Sequence, residues 1–306
     1  MATKATLEVA GRQVGVSNLD KIFYPKTGFT KGQMIDYYIR IAEVLLPHLK
    51  DRPLSLKRYP DGVEGFFFYE KQAPSHRPSW IKTVKVAKKE GGAIDYCVLN
   101  DLPSLVWAAN LADLELHTFL HRGRAIHKPT ALAFDLDPGP PADIVQCCQV
   151  GLWLREIFQT LKMRCFPKTS GSKGLQVYVP LNTAVTYEKT KAFAHAVALL
   201  LEKQHPELVV SRMQKVLRKG KVLVDWSQND DKKTTINVYS LRAKERPTVS
   251  TPVTWEEVAG VVKKKRGNPL VFESSAVLER VAKLGDLFEP VLKVKQKLPA
   301  LRSIAD

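Results

Sequence analysis

The sequence predicts an α+β protein with mixed or antiparallel sheets flanked by helices. In the first half, short strand-like segments occur among helical periodicities, and in the second half strands and helices alternate along the chain. The chain has 306 residues, of which 44% are hydrophobic. This is enough apolar material for a substantial core, and the length favours two packed subdomains over one.

The elements of the first half follow from local patterns. Residues 7–14 alternate about Ala10-Gly11 like a hairpin. Thr30 is expected to cap a helix, whose apolar residues recur at helical spacing: Met34, Ile35, Tyr38, Ile41, Ala42 and Leu45. We expect a further helix at 102–110 and short strands at 54–58, 66–69, 94–98 and 114–117.

The second half predicts strands at 131–136, 164–167, 175–179, 222–226 and 235–239. Helices are expected at about 142–161 and 187–204. The segment after Pro252 predicts two more helices, near 255–263 and 275–283. Mixed sheets with long-range pairing follow from this order.

The charge of the chain points to a polyanion as its partner. The formal net charge is +16, from 47 basic and 31 acidic residues. Dense basic groups occur at 82–89, 212–221 and 263–266, although one such run is usually only a solvated surface. Since no basic amphipathic helix with an aromatic face is evident, the excess favours nucleic acid over a membrane.

The cysteines predict neither a metal site nor a disulfide framework. Cys97, Cys147, Cys148 and Cys165 lack the spacing of either and are expected to be reduced. The sequence shows no apolar signal region and no membrane-length apolar run. We therefore expect a cytoplasmic protein.

Two carboxylates end an apolar strand-like run. In Ala131-Leu-Ala-Phe-Asp-Leu-Asp-Pro-Gly139, Asp135 and Asp137 share one face of the predicted strand, about 7 Å apart. The following Pro-Gly is expected to stop the strand and leave the pair at its carboxyl edge. Asp225, at the end of Val222-Leu-Val-Asp-Trp226, could complete a cage for two divalent ions. The alternative is that the pair only caps or salt-bridges a loop.

A turn rich in small residues predicts a phosphate cradle. In Lys168-Thr-Ser-Gly-Ser-Lys-Gly174, backbone N–H groups can approach an anion, while Ser170, Ser172 and Lys173 add donors and charge. The order differs from the P-loop consensus and a strand follows instead of a helix, which argues against a P-loop ATPase. A flexible hairpin turn is the alternative.

Three further features have weaker signals. His117, in Glu115-Leu-His117, could donate to a phosphate or a sugar hydroxyl, but a lone histidine is more often structural. Phe66–Tyr69 could stack on nucleobases, and core packing is expected for at least two of these four aromatic residues. Arg242 could clamp a phosphate if 222–226 and 235–239 form a hairpin.

Four motifs together carry a family resemblance. In chain order they are Phe134-Asp-Leu-Asp-Pro-Gly-Pro140, the segment 168–180, Val224-Asp-Trp-Ser-Gln-Asn229 and Tyr239-Ser-Leu-Arg242. With these motifs, nearly the whole chain resembles the polymerase domain of bacterial DNA ligase D. That domain belongs to the archaeo-eukaryotic primase superfamily and acts in non-homologous end joining.

The resemblance implies roles for individual residues. Asp135 and Asp137 would bridge two metal ions, Mn²⁺ or Mg²⁺, and Asp225 would complete the catalytic one. Lys21 and Lys31 would recognise a 5′-phosphate at a DNA break, and Phe68 and Tyr69 would stack on template bases. The incoming nucleoside triphosphate would be held by seven residues: Lys57, His117, Ser170, Ser172, Lys173, Gln228 and Arg242.

Two glutamines depart from the family pattern. Many members have histidine where this chain has Gln176, and some have arginine where it has Gln228. Both can donate hydrogen bonds but carry no charge. We expect these departures to affect triphosphate affinity and not the chemistry.

The resemblance also implies an organisation and a function. We expect one primase-polymerase domain, with a DNA-end and template-binding part at 1–112, a catalytic core at 113–250 and a helical packing segment at 251–306. No ligase signature is evident, so the chain is a stand-alone polymerase or part of a longer protein.

The predicted activity is a primer-extending, gap-filling DNA-dependent nucleotidyltransferase that prefers ribonucleotides and acts at double-strand breaks. Broken or gapped DNA and nucleoside triphosphates would be its partners, together with a Ku-like end-binding protein and a DNA ligase. The alternatives are a de novo primase and a non-catalytic DNA-end-binding module. The missing zinc-binding cysteines disfavour the primase, and three converging carboxylates disfavour the binding module because they repel DNA unless metals neutralise them.

Overall fold

A computed structural model describes residues 4–88 and 90–304. The strands are β1 Lys4–Val9, β2 Arg12–Ser17, β3 Ile22–Tyr24, β4 Phe29–Thr30, β5 Leu54–Arg58, β6 Phe68–Glu70, β7 Lys82–Ala87, β8 Ala93–Val98, β9 Asp113–Thr118, β10 Ala131–Pro138, β11 Phe166–Thr169, β12 Leu175–Pro180, β13 Val209–Val210, β14 Val222–Asp225 and β15 Thr235–Ile236. The helices are α1 Lys31–Leu49, α2 Leu102–Asn110, α3 Ile144–Thr160, α4 Tyr187–Gln204, α5 Trp255–Lys264, α6 Ser274–Leu284 and α7 Glu289–Lys293. The predicted α+β class is confirmed.

The chain divides into two compact units. Unit 1 comprises the chain up to Arg124, together with Thr234–Ser250 and Glu273–Asp286. Unit 2 comprises Ala125–Lys233, Thr251–Phe272 and the chain from Leu287. Each unit takes segments from distant parts of the sequence, so neither could be delimited from one stretch of chain. The functional division at 112 and 250 stays a prediction.

Unit 1 is built on a sheet with the strand order β15-β9-β5-β8-β7, and β6 pairs with β5. Thr30 caps α1 as predicted, because its side chain accepts from the backbone N–H of Gln33 and the Gln33 side chain accepts from the backbone N–H of Thr30. The apolar residues predicted for the inner face of α1 are all buried: Met34, Ile35, Tyr38, Ile41, Ala42 and Leu45. The hairpin of β1 and β2 is also confirmed.

Unit 2 is built on a sheet with the strand order β11-β12-β10-β14-β13, which places β10 in the centre. Its pairings are antiparallel, except for the parallel pair of β13 with β14. The core beneath this sheet contains Leu132, Phe134 and Leu136 of β10, together with apolar residues of α3 and α4. Because side chains alternate along β10, these three are buried on one face of the sheet. Asp135 and Asp137 lie on the opposite face.

Two predictions about strands were wrong. The segments 222–226 and 235–239 do not form a hairpin, because β14 pairs with β10 and β13 whereas β15 pairs with β9. The lysines of 82–87 are expected only as a basic group, yet they lie on the strand β7; Lys89 of that group lies outside the described residues. The sequence patterns also do not indicate β3, β4, β13 or α7. The hairpin error concerns the choice of strand partner, which the local sequence does not specify.

The glycines of two motifs permit close backbone approaches. A Cβ on Gly174 would lie 2.2 Å from the carbonyl oxygen of Leu136 in β10. A Cβ on Gly139 would lie 1.9 Å from the carbonyl oxygen of Arg218, and the Gly139 N–H donates to the carbonyl of Lys221. Only glycine fits at these points, so they fix the loops 168–174 and 212–221 against the end of β10.

None of the helices in the described ranges is both long enough and apolar enough to cross a membrane. The described cysteines, Cys97, Cys147, Cys148 and Cys165, are buried and unpaired with one another, as expected from their spacing. Burial raises the pKa of the Cys97 thiol to about 12. Such thiols stay protonated and act as apolar core groups.

We expect Gly174→Ala to lower the free energy of unfolding by about 1–3 kcal/mol, because the added methyl group would force β12 away from β10. Gly260→Ala is the matched control. Gly260 lies within α5, where no described atom comes within 4 Å of an added Cβ, so the helix should gain up to about 1 kcal/mol. Urea unfolding measures both. A Gly174→Ala variant as stable as wild type would contradict the close approach.

Candidate functional site

Three carboxylates share one face of the central sheet of unit 2. Asp135 on β10 lies directly opposite Asp225 on β14 in the antiparallel register. Directly opposed residues project to the same face, about 5 Å apart. Asp137 follows two residues later on β10 and projects to that face as well. The cluster therefore arises from the cross-strand register of β10 and β14, which brings Asp225 to the pair near the carboxyl end of β10.

Burial and like charge both act on the Asp135 carboxyl group. Burial, together with the neighbouring charges of Asp225 and Asp137, raises its pKa to about 6, against a hydrogen bond from Gln176 and the charge of Lys168. The Gln176 amide donates to Asp135 Oδ1 at 3.1 Å. A carboxylate in this position needs positive charge nearby to remain ionised.

Asp137 is neutralised by two cations. Its Oδ1 lies 2.9 Å from Lys173 Nζ, and its Oδ2 lies 3.1 Å from a guanidinium nitrogen of Arg218. Arg218 also donates to the carbonyl of Met213 at 2.6 Å. Arg218 was not identified from the sequence, where it was one of many basic residues in 212–221; its role depends on the contact at Gly139.

Asp225 is held by its own following turn. Its Oδ1 accepts from the backbone N–H of Ser227 at 2.8 Å and from the Ser227 hydroxyl at 2.6 Å. Its Oδ2 accepts from the Gln228 amide at 2.9 Å. These contacts orient the carboxylate without adding charge.

The two glutamines that depart from the family pattern both contact carboxylates of this cluster. Gln176 bridges the buried ammonium of Lys168, which donates to its Oε1 at 2.5 Å, and Asp135. This fixes the orientation of the amide, because only its NH₂ group can donate to a carboxylate. The expectation that these glutamines concern only triphosphate affinity is therefore too narrow: they also orient Asp135 and Asp225.

The loop 168–174 is organised by Ser170. Its hydroxyl accepts from the backbone N–H groups of Ser172 at 3.2 Å and Gly174 at 3.1 Å, and its own N–H donates to the Gly174 carbonyl. Ser172 and Lys173 are exposed. Thus Ser170 shapes the turn, while Ser172 and Lys173 present their side chains to solvent beside the carboxylates.

The donor set fits hard divalent cations, since it consists of carboxylate oxygens on one face and the Asp135 carboxyl group is strained by like charge. Within the described ranges, no three acidic, histidine or cysteine side chains are already gathered around a common point. Two of the three carboxylates contact other partners instead. Asp137 contacts Lys173 and Arg218, and Asp225 contacts Ser227 and Gln228.

A second charged cluster lies in unit 1. Glu115 on β9 lies 3.0 Å from Lys57 Nζ, 3.0 Å from His117 Nε2 and 3.2 Å from Arg242 Nε. Burial lowers the pKa of His117, against the effect of Glu115, so the imidazole is neutral at pH 7. The structure thus joins Lys57, His117 and Arg242, three residues selected from distant motifs. No role is predicted for Glu115 from the sequence alone.

The aromatic segment 66–69 is largely exposed. Phe66 is 73% exposed, Tyr69 50% and Phe67 47%, and Phe68 is half-buried. The expectation that at least two of these residues are core was wrong, because the segment forms the edge strand β6 and the loop before it. Phe66 stacks on Phe68, and Phe67 stacks on Tyr59.

The two N-terminal lysines differ in exposure. Lys21 is 38% exposed and pairs with Asp61 at 2.6 Å. Lys31 is buried, and its ammonium donates at 2.8 Å to the carbonyl of Ser17 and to Asn110 Oδ1. Burial lowers the pKa of Lys31 to about 8, helped by the nearby charges of Lys21 and Arg58.

We expect Asp135→Asn to raise the melting temperature at pH 7 in chelator-containing buffer, and to leave it unchanged at pH 4. The carboxyl group has a pKa of about 6 in the folded protein against 3.8 in the unfolded chain. Its contribution to stability is therefore present below pH 4 and lost as the pH rises to 6. Asp36→Asn, on the exposed face of α1, is the control. An equal gain in melting temperature at pH 7 and at pH 4 would contradict the raised pKa assigned to Asp135.

The chain matches a family model and several known proteins. The model "LigD, primase-polymerase domain" covers residues 30–288. The multifunctional non-homologous end joining protein LigD of Mycolicibacterium smegmatis is 40% identical over 299 residues, which are 96% of this chain and 38% of that protein. The bifunctional LigD of Bacillus subtilis is 31% identical, over 88% of this chain and 42% of that protein.

A solved structure agrees with these relatives. The polymerase domain from Mycobacterium tuberculosis ligase D in complex with DNA has a TM-score of 0.84 and 38% identity, and the match covers 92% of this chain and 98% of that domain. The chain spans less than half the length of the curated relatives it matches. The resemblance inferred from the four motifs is confirmed, and the chain belongs to the family of LigD primase-polymerase domains.

Proposed function

We propose that the chain is a DNA-dependent nucleotidyltransferase that extends primers and fills gaps at double-strand breaks during non-homologous end joining, with a preference for ribonucleotides. The observation that carries the proposal is the register of Asp135 against Asp225, which gathers three carboxylates beside a loop of phosphate-binding character. Membership of a family whose relatives are end-joining proteins supports the same function.

Asp135, Asp137 and Asp225 are the proposed ligands of two divalent ions, Mn²⁺ or Mg²⁺. Such ions would stabilise the attacking and leaving oxygens of an in-line displacement at phosphorus. The chain's own contribution is to orient these carboxylates through Gln176 and Gln228. Lys173 and Arg218 balance the charge of Asp137 until cations are bound.

Two sets of residues are proposed to contact the nucleoside triphosphate. In unit 2 these are Ser170, Ser172, Lys173 and Gln228. In unit 1 they are Lys57, His117 and Arg242. The one N–H of a neutral His117 donates to Glu115, so its other ring nitrogen can accept from a hydroxyl group of the nucleotide, and Arg242 can donate two hydrogen bonds in parallel.

The DNA is proposed to contact unit 1 through aromatic and basic residues. Phe68 and Tyr69 would stack on template bases, which the exposure of this segment supports. Lys21 and Lys31 would recognise the 5′-phosphate. The net charge of +16 also favours a polyanionic binding partner such as DNA. A Ku-like end-binding protein and a DNA ligase are the proposed partners, and the cytoplasmic nucleoid is the proposed location.

We expect Asp137→Asn to abolish nucleotide addition while leaving DNA affinity within about twofold, because the amide keeps the shape of the side chain but cannot bind a divalent ion with charge. The assay uses a 5′-phosphorylated gapped duplex, each NTP or dNTP, and Mg²⁺ or Mn²⁺, with product lengths as the readout. Asp36→Asn is the control.

The outcomes of this assay separate the candidate functions. Retention of a tenth of the activity by Asp137→Asn would refute the metal assignment. DNA binding without any addition by the wild-type chain would support an end-binding module. Synthesis without a primer would support a primase. Faster incorporation of deoxynucleotides would refute the ribonucleotide preference.

We expect the preference for 5′-phosphorylated over 5′-hydroxyl gapped DNA to fall between pH 7 and pH 9. Since the pKa of Lys31 is about 8, its ammonium loses charge in this interval, whereas a terminal phosphate is already dianionic. Replacing both Lys21 and Lys31 with alanine should erase the preference at pH 7. Equilibrium binding of the two duplexes measures it, and undamaged duplex is the control. A preference that is constant in pH and unaffected in the double variant would rule out this role.

A further inference from the structure

The charged cluster of unit 1 is organised around one buried carboxylate. Glu115 is 1% exposed and contacts Lys57, His117 and Arg242 within 3.2 Å. Its Oε1 also accepts from the backbone N–H of Ala243 at 2.9 Å. Both oxygens of the carboxylate are therefore used, and three side chains with donor groups end on the same residue.

The three donors come from three segments of the chain. Lys57 on β5 lies directly opposite Glu115 on β9, and His117 lies two residues along the same strand. Arg242 follows β15, where the bridge between Leu241 and Val249 fixes its segment. Without a common partner, flexible lysine and arginine side chains from separate segments would sample many rotamers.

Asp113 provides an internal comparison on the same strand. It is buried on the same face as Glu115, and its carboxyl group accepts from the backbone N–H of Lys57 at 2.7 Å. Burial raises the pKa of Asp113 well above its usual value. Burial acts in the same direction on Glu115, yet the hydrogen bond from His117 and the charges of Arg242 and Lys57 hold its pKa well below the usual range.

A buried carboxylate that remains ionised costs desolvation energy, and an apolar residue would stabilise a sheet at least as well. We infer that the charge of Glu115 serves to hold the cationic side chains around it. Lys57 is additionally surrounded by aromatic rings, with Phe67 at 4.8 Å, Tyr59 at 5.2 Å and Tyr69 at 5.6 Å from Nζ. Its ammonium is thus held by the carboxylate of Glu115 and by three aromatic rings.

We propose that Glu115 is the positioning residue that holds Lys57, His117 and Arg242 in the arrangement that receives the nucleoside triphosphate. The inference rests on the proposed function, which gives those three residues contacts to the nucleotide. Glu115 itself does not touch the triphosphate. It keeps these three side chains aligned before the substrate arrives, so that less conformational freedom is lost on binding.

An opposing effect makes the test decisive. Glu115 carries a negative charge, and removing it would strengthen the attraction of the cluster for a polyanion if the donors stayed in place. If Glu115 positions the three side chains, removing its charge should raise the KM for the triphosphate. If only electrostatic attraction matters, removing the charge should lower the KM. A looser cluster weakens triphosphate binding, whereas a more positive but still ordered cluster tightens it.

The experiment measures KM and kcat for ribonucleotide addition to a saturating 5′-phosphorylated gapped duplex, for wild type, Glu115→Gln, Glu115→Asp and Asp113→Asn. We expect Glu115→Gln to raise the KM about tenfold or more with kcat within threefold, since positioning affects binding of the triphosphate. Glu115→Asp keeps the charge but withdraws the carboxylate by one methylene group, and should raise the KM to a lesser extent. DNA affinity should stay at the wild-type value.

Asp113→Asn is the matched control, because it changes a carboxyl group of equal burial on the same strand that accepts from the backbone N–H of Lys57. Its KM should equal that of wild type. A lower or unchanged KM in Glu115→Gln overturns the proposal. If Glu115→Gln does not fold, as judged by thermal unfolding, Glu115→Asp decides alone, and a wild-type KM in that variant overturns the proposal equally.

Arg242→Ala separates this inference from the proposed function. If Arg242→Ala leaves the KM unchanged, the nucleotide contacts proposed for unit 1 are wrong and the inference falls with them. If Arg242→Ala raises the KM and Glu115→Gln does not, only the role of Glu115 is refuted. In the Arg242→Ala background the effect of Glu115→Gln should shrink, because both changes disturb one arrangement.

Discussion

The repulsion among three carboxylates held on one sheet face is the constraint on which the rest of unit 2 depends. The antiparallel register sets Asp135 opposite Asp225, and the chain cannot separate them without shifting a central strand. A one-residue slip would move one of them to the apolar core. The surrounding loops are therefore built to tolerate this charge, and each carboxylate has a separate form of compensation.

That compensation explains features of the sequence that look unrelated. Because residue 139 is glycine, the segment that carries Arg218 can lie against the end of β10. Because residue 174 is glycine, the loop that carries Lys173 can also lie there. Both cations then meet Asp137. Unit 1 shows the inverse arrangement, in which three donors converge on the single carboxylate of Glu115. In both units, charges of one sign are oriented by a partner of the other sign.

Local patterns in the sequence were sufficient for helices α1 to α6, though not for the short helix α7, for most strands and for the shared face of Asp135 and Asp137. They were sufficient because helical periodicity, capping and alternation are properties of neighbouring residues. The partners of Asp137 and of Glu115 were not predictable in this way. Arg218 lies 81 residues from Asp137 and Arg242 lies 127 residues from Glu115 along the chain, and nothing in the spacing of charges says which basic residue closes onto which acid.

Gln176 and Gln228 show that the position of a residue in a motif does not reveal all of its contacts. By their position in phosphate-binding motifs, Gln176 and Gln228 were expected to affect only the triphosphate. In the fold, each amide donates to a carboxylate, and Lys168 fixes the orientation of Gln176. A charged histidine in place of Gln176 would lower the pKa of the Asp135 carboxyl group more strongly than the neutral amide does. This chain therefore keeps its carboxylates less stabilised and leaves more of their charge for a cation to neutralise.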